Sequence, residues 1–174
     1  ACKANGYSVL LANTDEDPAM QAQVIASMVE HGVSALMICP TYGDAEGMAA
    51  LIRAGLPVLQ VLRATDPADF PLAAPDFAAG GLEATRHLVA QGCRRIAFVG
   101  GLEGRPITAE RMQGYAAGMQ EAGLAPRVYP GRPSRALGRD LAARLAADGI
   151  DGALCFSDLV ALGLGAGCAQ AGVA

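Results

Sequence analysis

The stretch Val89-Ala90-Gln91-Gly92-Cys93-Arg94-Arg95-Ile96-Ala97-Phe98-Val99 decides the fold. It runs from the end of an amphipathic helix, through a glycine, into a short and wholly apolar run. A glycine just past a helix accepts the left-handed backbone conformation that closes it. A continuous apolar run is what a strand covered on both faces requires. The same unit recurs as Val29-Glu30-His31-Gly32 before residues 35–39, and as Ile52-Arg53-Ala54-Gly55 before 58–62. Ala146-Ala147-Asp148-Gly149 precedes 153–156 in the same way, and Gln120-Glu121-Ala122-Gly123 before Val128-Tyr129 is a looser copy. Strand and helix alternate throughout, which predicts an α/β fold with a parallel sheet and right-handed crossovers. Ligands of such sheets gather at the carboxyl ends of the strands.

Helix periodicity agrees. Met20, Val24, Ile25, Met28 and Val29 form one stripe, with Asp17 as cap and Pro18 in the first turn. Met112, Tyr115, Ala116 and Met119 form a second, begun by Thr108, and Leu137, Leu141 and Leu145 a third, begun by Ser134. The start, Ala1 to Gly6, reads as part of a helix. Residues 64–71 are turn chemistry and predict a crossing between two lobes.

Composition limits the function. With 52% hydrophobic and 17% charged residues among 174, the chain carries enough apolar matter for a real core, and disorder is excluded. A net charge of −4 gives no basic face, so DNA contact by these residues alone is not expected. The five cysteines, Cys2, Cys39, Cys93, Cys155 and Cys168, are odd in number and lack C-x-x-C spacing. Cys39 and Cys155 lie in apolar runs and read as buried thiols of a reducing cytoplasm. The uncharged run 159–174 is too short for a bilayer crossing, and Gly163, Gly165 and Gly167 point instead to close packing against a sheet.

The candidate sites all follow strands. Gly100-Gly101-Leu102-Glu103-Gly104-Arg105 faintly resembles a phosphate-binding turn, but has neither G-x-G-x-x-G nor G-K-[ST]. A tight turn facing a ligand cleft fits it better. With Thr108 as cap, Arg111 falls in the first helical turn, where a cation opposes the helix dipole. Arg105 and Arg111 suit bidentate contact with a carboxylate, a phosphate or vicinal hydroxyls, or an ordinary ion pair with Glu110 or Glu103. Ser157-Asp158 and Asp76 each read as a helix cap, a ligand contact, or both. His31, at a helix end, and His87, mid-helix, have no partners at metal-ligand spacing. No nucleophile elbow, Cys–His pair or cofactor fingerprint is present, so binding rather than catalysis is expected, with no cofactor and no metal.

The stretch from Asp76-Phe77-Ala78-Ala79-Gly80-Gly81 through Ala84-Thr85-Arg86-His87-Leu88 to Gly92-Cys93-Arg94-Arg95-Ile96-Ala97-Phe98-Val99-Gly100-Gly101 resembles the LacI/GalR family of bacterial repressors. Thr108…Arg111…Gly114-Tyr115 and Ser157-Asp158…Ala161-Leu162-Gly163 resemble later motifs of that family. Gly6-Tyr7, Asn13-Thr14 and Leu56-Pro57-Val58…Arg63 match upstream, so the likeness covers the chain. It implies two Rossmann-like parallel-sheet lobes around a ligand cleft, as in type I periplasmic binding proteins. Residues 1–74 would belong to the N-terminal lobe and 75–174 to an incomplete C-terminal lobe. The family's first strand and helix, and a helix-turn-helix headpiece that reads operator DNA, would lie upstream. A further strand and the return to the first lobe would follow Ala174.

The resemblance further implies a cytoplasmic homodimer that does not touch membrane and senses a small polar effector such as a sugar or sugar phosphate. Effector contacts carry over to Arg111, and less directly to Arg105, Arg63, Asp76, Ser157 and Asp158. The sequence departs from the pattern at Leu62, where an acid is usual, and at Phe77, Cys93 and Ser157, where Asn, His and Asn are usual. Pro133 falls near a position that often holds a stacking aromatic. Three arginines (Arg63, Arg105, Arg111) with few matching acids lean towards an anionic ligand. A periplasmic sugar-binding protein of a transporter is the alternative with the same fold; the free cysteines and the Gly92–Ile96 strand entry speak against it.

Overall fold

The computed structural model describes residues 3–65 and 70–172. Cys2 and the turn residues Asp66, Pro67, Ala68 and Asp69 lie outside them. The chain divides into two compact units, Ala1–Pro75 and Asp76–Ala174.

In the first unit, helix α1 (Pro18–Glu30), strand β1 (Leu36–Ile38), helix α2 (Ala45–Ala54) and strands β2 (Val58–Val61) and β3 (Leu72–Ala73) alternate. The sheet is parallel with order β1-β2-β3, and Leu36 pairs with Val58 and Gln60 with Leu72. The crossing segment therefore returns to this sheet as β3 before it leaves the unit. Asp17 caps α1 through Ala19 and Met20, with Pro18 at the first position, as the sequence predicts. The buried face of α1 is turned from the predicted stripe: Gln21 and Ile25 are buried, while Met20 and Val29 are exposed. The reason is polar. Gln21 Nε2 donates to Asp44 Oδ2 at 2.7 Å, and Gln21 Oε1 accepts from the Thr41 amide at 2.8 Å, so a buried amide is satisfied at both ends. Ile25 packs with Met48, Leu51 and Val58. The predicted N-terminal helix is only a single 3₁₀ turn, Lys3–Asn5.

The second unit holds α3 (Phe77–Ala90), β4 (Ile96–Val99), α4 (Pro106–Glu121), β5 (Arg127–Tyr129), α5 (Arg135–Ala147), β6 (Gly152–Cys155) and α6 (Asp158–Ala171). Its sheet is parallel with order β5-β4-β6. All four residues of β4 are fully buried, on alternate faces. Ile96 and Phe98 pack with Tyr115 and Met119 of α4, whereas Ala97 and Val99 pack with Tyr129, Leu145 and Val160. Burying a side chain such as Phe98 or Ile96 contributes about 1.5–3 kcal/mol, so β4 anchors both layers. The Tyr115 hydroxyl ties the strand ends: it donates to Ile96 O at 2.8 Å and accepts from the Arg127 amide at 2.8 Å.

All five predicted helix-closing glycines have positive φ, from 63° at Gly55 to 95° at Gly92. Asp76 and Ser134 cap α3 and α5 as expected. Thr108 does not cap α4. Arg105 holds that position without a side-chain cap bond, Pro106 is first in the helix, and Thr108 is buried inside it. Proline suits the first position because its missing N–H would be unpaired there anyway. Arg111 consequently lies in the second turn, and Ala116 is exposed rather than part of the buried stripe. His87 lies in the last turn of α3, not at its middle. Cys39 and Cys155 are half-buried rather than fully enclosed.

The glycines of α6 serve a helix rather than the sheet. A Cβ at Gly163 would strike the Arg135 carbonyl, one at Gly167 the Arg139 carbonyl, and one at Gly138 of α5 the Val160 carbonyl. The pair α3 and α4 meets in the same way, Gly114 against the Ala78 carbonyl and Gly81 against the Arg111 carbonyl. Gly165 faces open space. Gly114→Ala is therefore expected to destabilise the protein by about 2 kcal/mol or more through overpacking. Gly165→Ala is expected to be neutral or to stabilise it by up to about 1 kcal/mol through helix propensity. Urea unfolding of the two variants checks this, and equal midpoints would contradict the close helix approach.

Candidate functional site

At the carboxyl end of β6 the second unit opens into a cavity of about 480 Å³ lined by Arg111, Ala153, Cys155, Phe156, Ser157, Asp158 and Ala161. The parallel topology puts it there, because β6 ends and α6 begins at this edge. Of the six residues singled out from the sequence, the cavity brings together Arg111, Ser157 and Asp158. Arg105 is exposed at the α4 cap position and Asp76 caps α3 by accepting from the Ala79 amide at 2.8 Å; neither lines the cavity. Arg63 belongs to the first unit.

Arg111 has an unusual setting. Its guanidinium carbon lies 4.6 Å from the centre of the Phe77 ring and 5.1 Å from that of Phe156. Each such cation–π contact contributes about 0.5–2 kcal/mol. Its Nε is buried without a hydrogen-bond partner, and no ion pair compensates its charge among the described residues. Arg111 thus makes no bridge to Glu110 or Glu103, the alternative its sequence position left open. Burial pulls the Arg111 pKa below its ordinary value, although a guanidinium stays charged at any physiological pH. Arg111 does not oppose the helix dipole from the first turn, since its side chain starts from the second.

Ser157 occupies the cap position of α6 but makes no side-chain cap bond, contrary to its reading as a simple cap. Its backbone is extended (φ −149°, ψ 165°), and its Oγ is buried without a partner. Asp158 instead accepts from the Leu159 amide at 2.9 Å. Cys155 borders the same space, and burial pushes its thiol up to about 11, so it is a neutral, inert wall.

The glycine-rich turn is no phosphate cradle. Gly100 and Gly101 have φ near 90°, and a Cβ at Gly101 would stand 2.7 Å from Thr108 Cγ2 and 3.0 Å from the Phe156 ring. The loop is bare because Phe156 and Thr108 press on it. Sequence reasoning missed Phe156 and noted Phe77 only as a departure; an aromatic directly after Asp76 and another directly before Ser157 were the available signals.

In the first unit, Arg63 is paired with an acid. Nη2 donates to both oxygens of Glu16, to Oε2 at 2.7 Å, and Nε donates to Pro40 O at 2.6 Å. Its guanidinium lies 4.8 Å from the Tyr42 ring centre. Burial lowers its pKa, but the Glu16 hydrogen bond and the charges of Cys39, Glu16 and Tyr42 together outweigh that, and the net shift is upward. The expectation of three arginines with few matching acids therefore fails at Arg63.

Among the described residues no cluster of His, Cys, Asp and Glu could hold a metal ion, and no helix is long and apolar enough to cross a membrane.

Comparison with known proteins gives this arrangement a family. The GntR HTH-type transcriptional regulator of Escherichia coli K12 is 27% identical over 176 residues, 98% of this chain and 52% of its own length. The fructose operon regulatory protein of Vibrio cholerae is 28% identical over 120 residues, 68% of this chain and 37% of its own. The solved structure of the transcription regulator CcpA of Lactococcus lactis superposes with a TM-score of 0.87 at 26% identity, over 99% of this chain and 65% of that one. The chain thus spans about half the length of GntR and about a third of the Vibrio protein. Residues 1–173 match the family described as periplasmic binding proteins and the sugar-binding domain of the LacI family, and the chain belongs to it.

Proposed function

We propose that this chain is the effector-sensing domain of a LacI-type transcriptional regulator, with residues 1–74 and 75–174 as its two lobes. Its effector is a small sugar-like molecule that carries an anionic group. One observation carries this reading: Arg111 presents an uncompensated, partly dehydrated guanidinium to a cavity that also holds the unpartnered Ser157 hydroxyl. A buried polar atom without a partner is costly, and a ligand oxygen removes that cost at both atoms. Phe77 and Phe156 hold the planar cation in one orientation, so its outer edge suits a phosphate or carboxylate in the plane. Asp158 has the chemistry to accept ligand hydroxyls from the same wall.

DNA contact belongs to a helix-turn-helix segment of the whole protein, as the name of GntR suggests for that relative. A domain with net charge −4 does not supply it. Such a regulator works in the cytoplasm, where its operator is. Effector binding then biases operator affinity by the coupling free energy between the two sites.

The partner chain is a second copy of this protein. One side of α6 carries Leu159, Leu162, Ala166 and Ala169, all exposed and at helical spacing. Two large apolar residues on an otherwise uncharged face favour burial against another such face. Replacing Leu162 by Glu is expected to convert a dimer of the full-length protein to a monomer in light scattering. A variant that stays dimeric would remove α6 from the interface.

Titration calorimetry with glucose and glucose 6-phosphate tests the effector reading. The phosphorylated sugar is expected to bind more tightly, and Arg111→Gln to weaken it about 10- to 100-fold, the size of a lost charged hydrogen bond. Tighter binding of the neutral sugar would reject the anion seat.

A further inference from the structure

The two units treat their edge arginines in opposite ways. Arg111 has no acid, whereas Arg63 is gripped by Glu16, 47 residues away in sequence. Only 13% of the Arg63 side chain is exposed, against 53% of Glu16, so solvent meets the acid far more than the arginine. Two of the three guanidinium nitrogens are taken, Nη2 by Glu16 and Nε by Pro40 O, and one face lies on Tyr42.

The backbone on both sides of this contact is shaped for it. Asp15 and Glu16 have φ of 48° and 60°, and Leu62, which precedes Arg63, has φ of 67°. These are the described non-glycine residues in the left-handed region, where side chains are strained. The turn that presents Glu16 is also held. The Asp15 amide donates to Asn13 Oδ1 at 3.2 Å, Asn13 Nδ2 donates to Asp15 Oδ1 at 2.7 Å, and the Asp17 amide donates to Thr14 O at 2.8 Å just before α1. Glu16 is therefore a fixed counter-ion and not a side chain that happens to reach.

We propose that Glu16 is a specificity-determining residue: it fills the anion seat of Arg63 with a carboxylate of the chain itself, so that anionic groups are accepted at Arg111 alone. What the first unit offers at this edge is an exposed carboxylate, which accepts hydroxyls and repels anions. This rests on the reading of the chain as an effector-binding domain.

Inorganic phosphate is the probe, followed by NMR at the arginine Nε–Hε signals of the full chain. In the wild type, phosphate is expected to shift the Arg111 signal and leave that of Arg63 in place. In Glu16→Gln it is expected to shift Arg63 at concentrations at least tenfold lower than any that move it in the wild type. Glu16→Gly removes the carboxylate while suiting the left-handed backbone, so it gives the same result without backbone strain. An Arg63 signal that responds equally in wild type and variants, or in none of them, overturns the inference. A silent Arg111 beside a responsive Arg63 in the variants leaves the role of Glu16 intact and removes the anion seat proposed at Arg111.

Discussion

Where α3 meets α4, Gly81 lies against the backbone carbonyl of Arg111 and Gly114 against that of Ala78. A Cβ at Gly81 would stand 2.6 Å from the Arg111 oxygen. This close approach sets the site. Phe77 lies four residues before Gly81, on the same face of α3, so seating Gly81 on the Arg111 backbone also lays the Phe77 ring on the Arg111 guanidinium. The other ring, Phe156, arrives from the end of β6, whose register on β4 is fixed by the pairs Phe98 with Leu154 and Val99 with Cys155. The orientation of one cation thus depends on a glycine contact and on a strand register, each formed in the core rather than at the cavity.

Holding Arg111 in this way has a cost. A partly dehydrated cation without a counter-ion loses solvation, and two aromatic faces return only about 0.5–2 kcal/mol each. Arg63 meets the same problem differently, with a carboxylate and a carbonyl inside its own unit. The chain has the means to neutralise an arginine and applies them to one and not the other. The deficit at Arg111 is what an anion from outside would offset, and it would do so in a setting where water competes poorly.

The fold was largely legible because its signals are local. A glycine that closes a helix, an Asp or Ser that caps one, and an apolar run such as Ile96–Val99 each act within a few residues. Where a local signal had a rival, the tertiary setting chose: Pro106 rather than Thr108 begins α4, and Gln21 rather than Met20 turns inward because Asp44 and the Thr41 amide receive it. The Gly-rich α6 was recognisable as a packing surface, but which element it packed against was not, since Arg135 and Arg139 contribute only backbone there. The site was legible in part. Arg111, Ser157 and Asp158 stand directly after strands or in the helix that follows one, where a parallel sheet exposes them. The Glu16–Arg63 pair was not, because no pattern links residues 47 apart except the fold itself.

Ser157 shows how far a local rule reaches before function alters it. A serine before a helix normally turns its hydroxyl onto an amide of the first turn, for about 1 kcal/mol of stability. Ser134 does so on Leu137, at 3.0 Å. Ser157 has the same position and nearly the same extended backbone, φ −149° against −162°, yet its hydroxyl caps nothing and is buried unpartnered. Asp158, one residue later, takes the Leu159 amide in its place. The chain therefore relinquishes one cap bond at the helix end that borders the cavity and keeps it at the helix end that does not. The hydroxyl left over faces the same space as the Arg111 cation, and a ligand oxygen would meet both together.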